Sequence, residues 1–398
     1  MYDFTTRVER RNSTSIKWKL IEDDMGEGND DVIAMSVADM EFKPAPQIVR
    51  AIVDAAQHDV FGYDYATDEY FAALAGWMAR RHHMEVRPEW VTLSDGVMPA
   101  VNTALRAFTH PGDAIVIQRP VYYPFTSAAQ HNGLTILNNA LAYDEATHTY
   151  TIDFGDLEAK LADSRCTTML LCNPHNPVGR VWTAGELRRI ATLCRTYGVL
   201  LLVDEIHADF SWPEHPVTMM GELGDDIARQ CIEFTAPTKT FNLAGLLCSN
   251  TIIRDLELKT RFDVAAENIG GMTVSHFGSS HASRHTTKQK AGSTNCSTWS
   301  PPTSPPCGRS PPRITASRSS SLKAPISHGS TAVGWASRAP MSYGTSCAPK
   351  PACISTRARC SVWKAKASNV SIWHVRHRCS PMCWNGCTPH SPIVKNLA

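Results

Sequence analysis

Five short stretches hold the residues able to do chemistry. Pro237-Thr238-Lys239-Thr240-Phe241-Asn242 offers an amine that can serve as nucleophile or base. Asp204-Glu205-Ile206-His207 offers carboxylates and an imidazole, and Asn173-Pro174-His175-Asn176-Pro177 offers amide donors. Pro120-Val121-Tyr122-Tyr123-Pro124 presents a tyrosine pair. Gly96-Val97-Met98-Pro99 opens a helical pattern, and free backbone N–H groups at a helix start attract anions. Taken singly, each has a plain structural reading. Gly before a helix is a turn, Lys after a strand is a surface charge, Asp at a strand end is a cap, and a Tyr pair is core or rim.

The elements that must position these residues alternate. Apolar runs at 112–120, 167–174, 198–207 and 230–239 are continuous rather than alternating, which suits parallel strands buried on both faces. Helical patterns lie between them. One spans 99–112 from Pro99 to Pro111-Gly112, and another spans 183–198, with Thr183 and Glu186 spaced as a capping box and Gly198 at its end. This order predicts an α/β layer fold with a mostly parallel sheet flanked by helices. Ligands of such sheets bind at the carboxyl ends of the strands, where four of the five stretches fall or begin.

The stretches VADMEF (37–42), FGYDY (61–65), GVMPAV (96–101), PVYYPF (120–125), NPHNPVGRVW (173–182), DEIHADF (204–210) and TAPTKTFNLAGL (235–246) together resemble the fold-type-I pyridoxal-phosphate enzymes. The nearer match is their C–S β-lyase branch of cystathionine β-lyases and cystalysin-like proteins. The resemblance spans roughly residues 3 to 278. It implies pyridoxal 5'-phosphate as cofactor, with Lys239 as the lysine that holds it and later removes the Cα proton. It implies Asp204 facing the ring nitrogen, Asn176 at the phenolic oxygen and Tyr122 stacked on the ring, with Tyr123 beside it. The phosphate falls to the turn at Gly96, Val97 and Met98 and to the Thr238 hydroxyl. Tyr63 resembles a tyrosine that reaches the phosphate of the neighbouring subunit, which implies a homodimer. His207 stands where related aminotransferases carry Tyr, as a supporting group or a packing residue. The implied reaction is β-elimination on cystathionine or another small amino-acid thioether, giving thiol, pyruvate and ammonia. An aminotransferase, or a non-catalytic cofactor-binding regulator, is the alternative. Where the lyase branch carries Trp before VADM, this chain has Ser36.

Composition divides the chain of 398 residues in two. Residues 1–278 hold all 38 acidic residues, whereas residues 279–398 hold none, yet have 16 of the 39 Lys and Arg. The latter also hold 13 of the 25 Pro but no Phe and only two Leu, which is unlike a globular domain. The expected organisation is an N-terminal segment at 1–48, a cofactor-binding large domain at 49–278 and a non-family-like, disordered tail at 279–398. The tail shows no sustained helical or strand periodicity. In the family this region finishes the fold and supplies an Arg that clamps the substrate carboxylate.

A shifted reading frame accounts for both breaks. Back-translated and read from the third base of each codon, residues 284–299 can give AYNQAESWLDELLDV, 323–335 can give GTYLTWLDCRGL and 360–373 can give FGVEGKGFQRLNL. All three use one phase and look like missing family motifs, including the RLN that holds the clamping Arg. Turnover by the chain as written is expected to be impaired. The rival readings of the tail are weaker. Cys379, Cys383 and Cys387 have poor zinc spacing, and a basic Ser/Pro-rich arm could meet nucleic acid only nonspecifically. No run reaches the ~18 apolar residues of a membrane span. The N-terminus has no apolar targeting core, and five unpaired Cys (Cys166, Cys172, Cys194, Cys231, Cys248) suit a reducing compartment, so a cytoplasmic location is expected.

Overall fold

The four apolar runs become neighbouring strands of one sheet. A computed structural model describes residues 3–26, 32–34, 37–58, 60–270, 275, 360–367 and 370–377. The strands are β1 Val91–Ser94, β2 Ala114–Ile117, β3 Thr135–Asn138, β4 Ala142–Asp144, β5 Thr149–Thr151, β6 Cys166–Cys172, β7 Leu200–Asp204, β8 Cys231–Thr235 and β9 Ser249–Ile252. The helices are α1 Ile16–Met25, α2 Pro46–Ala56, α3 Asp68–His82, α4 Val97–Phe108, α5 Pro124–His131, α6 Phe154–Leu161, α7 Ala184–Thr196, α8 Asp225–Ala228, α9 Pro237–Thr240 and α10 Leu256–Asn268. The chain divides into two units, Met1–Val8 with Asp39–Pro325, and Glu9–Ala38 with Ile326–Ala398.

In the first unit the sheet order is β1-β9-β8-β7-β6-β2-β3. The pairs from β3 through β8 are parallel, as the continuous apolar runs require. From β2 the chain first moves outward to β3, then returns to β6 and builds the other way through β7 and β8. The order therefore reverses between β2 and β6, and a ligand crevice is expected above that point. Leu170, Leu202, Ile232 and Phe234 of the sheet are buried against Ala100, Val101, Ala104 and Leu105 of α4. Each fully buried Leu in that layer contributes about 2 kcal/mol. Leu187 and Ile190 of α7 are also buried, and Trp182 Nε1 donates to the Cys172 carbonyl at 2.9 Å.

The capping box of α7 forms as expected. Thr183 Oγ1 accepts from the Glu186 N–H at 3.2 Å, and Glu186 Oε2 accepts from the Thr183 N–H at 2.8 Å. Helix α4 begins at Val97, two residues before Pro99, so the proline sits within the first turn, where a missing N–H costs nothing. Strands β9 and β1 are antiparallel additions with a polar sequence, Ser249-Asn250-Thr251, that gave no apolar signal. Most of their polar groups are buried and bonded, whereas the Thr251 hydroxyl is buried without a partner among the described residues. Tyr70 Oη donates to Asn250 Oδ1 at 2.6 Å, and the Ser94 and Ser249 hydroxyls lie 2.8 Å apart.

In the second unit, β10 Cys360–Ala367 pairs antiparallel with β11 Val370–His377. This differs from the expectation that the tail has no strand periodicity. Alternation is confined to short pieces such as Trp363-Lys364-Ala365-Lys366, too short to mark a strand in the sequence. The rest of 279–398, with the frame-shift segments at 284–299 and 323–335, lies outside the described residues.

Candidate active site

Three adjacent parallel strands deliver the chemistry. β6 ends in Cys172 and runs on to Asn176, β7 ends in Asp204, and β8 ends two residues before α9, the single turn that holds Lys239. Pro237 begins that turn, and its fixed φ suits the first helical position.

The lysine turn is fastened on both sides. Thr240 Oγ1 donates to Asp209 Oδ2 at 2.6 Å, and Asp209 also accepts from Trp77 Nε1 at 3.3 Å and lies 2.9 Å from His82 Nε2. Asn242 has φ +59°, in the left-handed region that Asn tolerates. Its side chain donates to the carbonyls of Met40 and Phe42 at 3.0 and 2.9 Å and accepts from the Met40 N–H at 2.8 Å. The VADMEF stretch is thereby held against the lysine turn.

Asp204 is buried, and its Oδ1 accepts the Ile206 N–H at 3.1 Å. Burial pushes its carboxyl up to about 6, while that N–H and the Lys239 charge pull the other way. Tyr122 feels Asp204 as well; burial first, then Tyr123, Asp204 and Cys172, raises its phenol. Its ring centroid is 5.6 Å from that of Tyr123 and 6.1 Å from that of Phe125. His207 is lowered to about 4 by burial and by the Lys239 charge, so the ring is neutral at physiological pH. The Asn176 N–H donates to Cys172 Sγ at 3.4 Å. Thr238, one residue before the lysine, is buried. Val97 and Met98 occupy the first turn of α4, which no side chain caps.

The structure thus brings Lys239, Asp204, Tyr122 and His207 within electrostatic reach of one another. Tyr63 is not brought to them: its side chain is fully exposed, and its neighbours Phe61 and Tyr65 are exposed too. Asp209 and Thr240 were missed as anchors of the lysine turn, although both stand inside the quoted stretches. Their only signal was that placement, because hydrogen-bond partners 31 residues apart are invisible to spacing rules.

This donor set fits pyridoxal phosphate. An amine stands near a buried carboxyl that receives one backbone donor among the described residues, so a protonated ring nitrogen supplies the partner its burial calls for. The uncapped start of α4 follows β1, and its Val97 and Met98 belong to the same apolar cluster as Tyr122. The fold and these residues define a fold-type-I pyridoxal-phosphate enzyme.

Comparison with known proteins agrees. The chain belongs to the aminotransferase class I and II family, which matches residues 30–291. It is 41% identical over 276 residues to cystathionine beta-lyase PatB of Bacillus subtilis, covering 68% of this chain and 70% of that protein. It is 32% identical to protein MalY of Escherichia coli, covering 69% and 68%. The crystal structure of cystalysin from Treponema denticola, which contains a pyridoxal 5'-phosphate cofactor, superposes with a TM-score of 0.69 at 36% identity, covering 72% of this chain and 73% of that one. No helix among the described residues is long and apolar enough to cross a membrane, and no group of metal-ligating side chains occurs among them.

Proposed function

We propose that the chain is a pyridoxal-phosphate-dependent C–S β-lyase acting on cystathionine or related cysteine S-conjugates. The observation that carries this reading is the pairing of Lys239 and Asp204 at adjacent strand ends, in a chain 41% identical to a cystathionine β-lyase. When bound, pyridoxal phosphate supplies an electron-accepting ring joined to the substrate amine. Asp204 would hold the proton at the ring nitrogen, and the Lys239 amine would retain the cofactor and serve as base toward the Cα proton. Tyr122 would pack on the ring, Asn176 would donate to its phenolic oxygen, and the Val97 and Met98 N–H groups with the Thr238 hydroxyl would receive the phosphate. His207 stays neutral beside the lysine and adds no competing charge.

Two further readings belong to this proposal. The exposed run Val60, Phe61, Tyr63 and Tyr65 suits a subunit contact in which Tyr63 completes the partner's phosphate site, so the working form is a homodimer. The acid-free sequence after residue 278 comes from a shifted frame and lacks the carboxylate-clamping Arg, so turnover by this polypeptide is low. Purified protein supplied with cofactor and cystathionine should release thiol and pyruvate without any keto-acid acceptor. Turnover that requires an acceptor makes it an aminotransferase instead. Rapid turnover by the chain as written overturns the frame-shift reading.

A further inference from the structure

Directly after Asp204, a second acid turns away from the lysine into the protein. Glu205 and Glu233 are 1% and 0% exposed. The Glu205 N–H donates to the Phe234 carbonyl at 2.9 Å, which sets the two side chains on neighbouring strands within hydrogen-bonding reach. Each has one oxygen accounted for. Glu205 Oε1 accepts from Asn173 Nδ2 and from the Met220 N–H, both at 3.1 Å. Glu233 Oε2 accepts from the Gly221 N–H at 2.8 Å. The other two oxygens, Glu205 Oε2 and Glu233 Oε1, are buried without a donor among the described residues.

The charged and titratable neighbours do not resolve this. Arg254 is the nearby cation: its Nη2 donates to the Gly221 carbonyl at 2.8 Å and its Nη1 lies 3.5 Å from Asp225. Its buried Nε has no acceptor among the described residues, so it bonds neither orphan oxygen. Cys231, earlier on β8, is a thiol raised far above its usual range by burial first and by both glutamates among its neighbours. Asp204 is the chain neighbour of Glu205. Two ionised carboxylates in such a space would face each other with neither orphan oxygen given a donor, which burial strongly disfavours.

We propose that Glu205 and Glu233 hold one proton between them, carried on Glu205 Oε2 and donated to Glu233 Oε1, and that this pair positions the strand ends around Asp204. Burial lifts both carboxyls. The Gly221 N–H, Arg254 and the hydrogen bond from Glu205 restrain Glu233, so Glu205 is the acid of the pair. Through Asn173 the pair grips the start of the 173–179 loop that leads to Asn176, and through Met220 and Gly221 it grips the segment before α8. The positioning role rests on the proposed lyase reading; the shared proton does not.

Infrared spectroscopy of the full-length protein at neutral pH tests the proton directly. A buried carboxylic-acid carbonyl band, sensitive to deuterium exchange and lost as pH rises, is expected, and it should be missing in Glu205→Gln. Gln keeps both an acceptor for Asn173 and a donor for Glu233, so Glu205→Gln should unfold near the unmodified midpoint, whereas Glu205→Ala should be clearly less stable. With cofactor loaded, the pH midpoint of its visible absorption band should shift in Glu205→Ala and be restored in Glu205→Gln. Absence of the acid band, or a Gln variant as unstable as the Ala variant, overturns the shared proton. An unshifted midpoint in Glu205→Ala overturns the positioning role alone. A chain that shows the band but releases no thiol would refute only the lyase reading.

Discussion

Thr240 gives its hydroxyl to Asp209 across 2.6 Å, immediately beside Lys239. The same carboxylate meets His82 and Trp77 at the end of α3, so one buried acid joins that helix, the turn after Asp204 and the lysine turn. Its carboxyl is held below the usual range; burial opposes this, and His82, Thr240 and Arg81 outweigh burial. Asp209→Ala leaves several buried donors unpaired and is expected to cost about 2–4 kcal/mol. Thr240→Val removes one hydrogen bond and is expected to cost about 1 kcal/mol. Urea unfolding measures both, and cofactor dissociation should accelerate in the same order. Equal stabilities for the two variants would show that Asp209 serves Thr240 alone.

Asp204 trades stability for chemistry. Its pKa of about 6 in the fold lies above the ordinary value of 3.8, so the folded protein binds the extra proton. Without cofactor, stability is greatest below about pH 4 for this group and is lost as pH rises through about 6, by roughly 3 kcal/mol. Asp204→Asn cannot ionise, so cofactor-free Asp204→Asn should show no such loss between pH 4 and 7. It should bind cofactor about ten- to a hundredfold more weakly, because a charge-assisted hydrogen bond is gone. Calorimetry across pH and cofactor titration separate the two effects.

Together with His207, whose ring is likewise lowered to about 4, His175 contributes to the acid limit. Its ring is buried beside Trp182, its Nε2 lies 3.0 Å from the Pro120 carbonyl, and burial lowers it from 6.5 to about 4. The unfolded chain therefore takes up a proton before the folded one does. Stability from this group is full above about pH 6.5 and falls as pH drops through about 4, by on the order of 3 kcal/mol. His175→Asn should flatten the slope of stability against pH in that window, whatever it does to the midpoint at neutral pH. An unchanged slope assigns the acid transition elsewhere.

The capping box offers a control remote from the lysine. Thr183→Ala should cost about 1 kcal/mol. Glu186→Ala should cost more, since Glu186 Oε1 also receives Arg180 Nη2 at 2.6 Å. Neither change should alter the absorption band of the bound cofactor. A spectral shift in Thr183→Ala would mean that α7 reaches the site through the 173–182 loop.

The legible part of this protein was the part that burial writes into short windows. Runs such as Met169-Leu170-Leu171 and Leu201-Leu202-Val203 are apolar because parallel strands are covered on both faces, and both became strands of the sheet. The Thr183 and Glu186 cap was legible for the same reason, since its partners are three residues apart. β9 was not, because Ser249 and Asn250 are buried through hydrogen bonds to Ser94 and Tyr70, far away in sequence. At the site, Lys239 and Asp204 were legible only through the resemblance of the stretches that hold them, not singly. The anchors Asp209 and Thr240 and the acids Glu205 and Glu233 gain meaning only when strands β7 and β8 lie side by side.

Strands β8 and β9 are adjacent and antiparallel, so residues 236–248 form a hairpin connection with the lysine inside it. The other site residues lie on connections that leave the sheet for a helix, and such segments tolerate length changes during divergence. The hairpin connection is tied down by Thr240 to Asp209 and by Asn242 to Met40 and Phe42, so an inserted residue would break an anchor or displace the lysine. Natural variation and laboratory reshaping of substrate preference should therefore concentrate in the 119–124 and 173–182 segments. The span from Ala236 to Cys248 should keep its length.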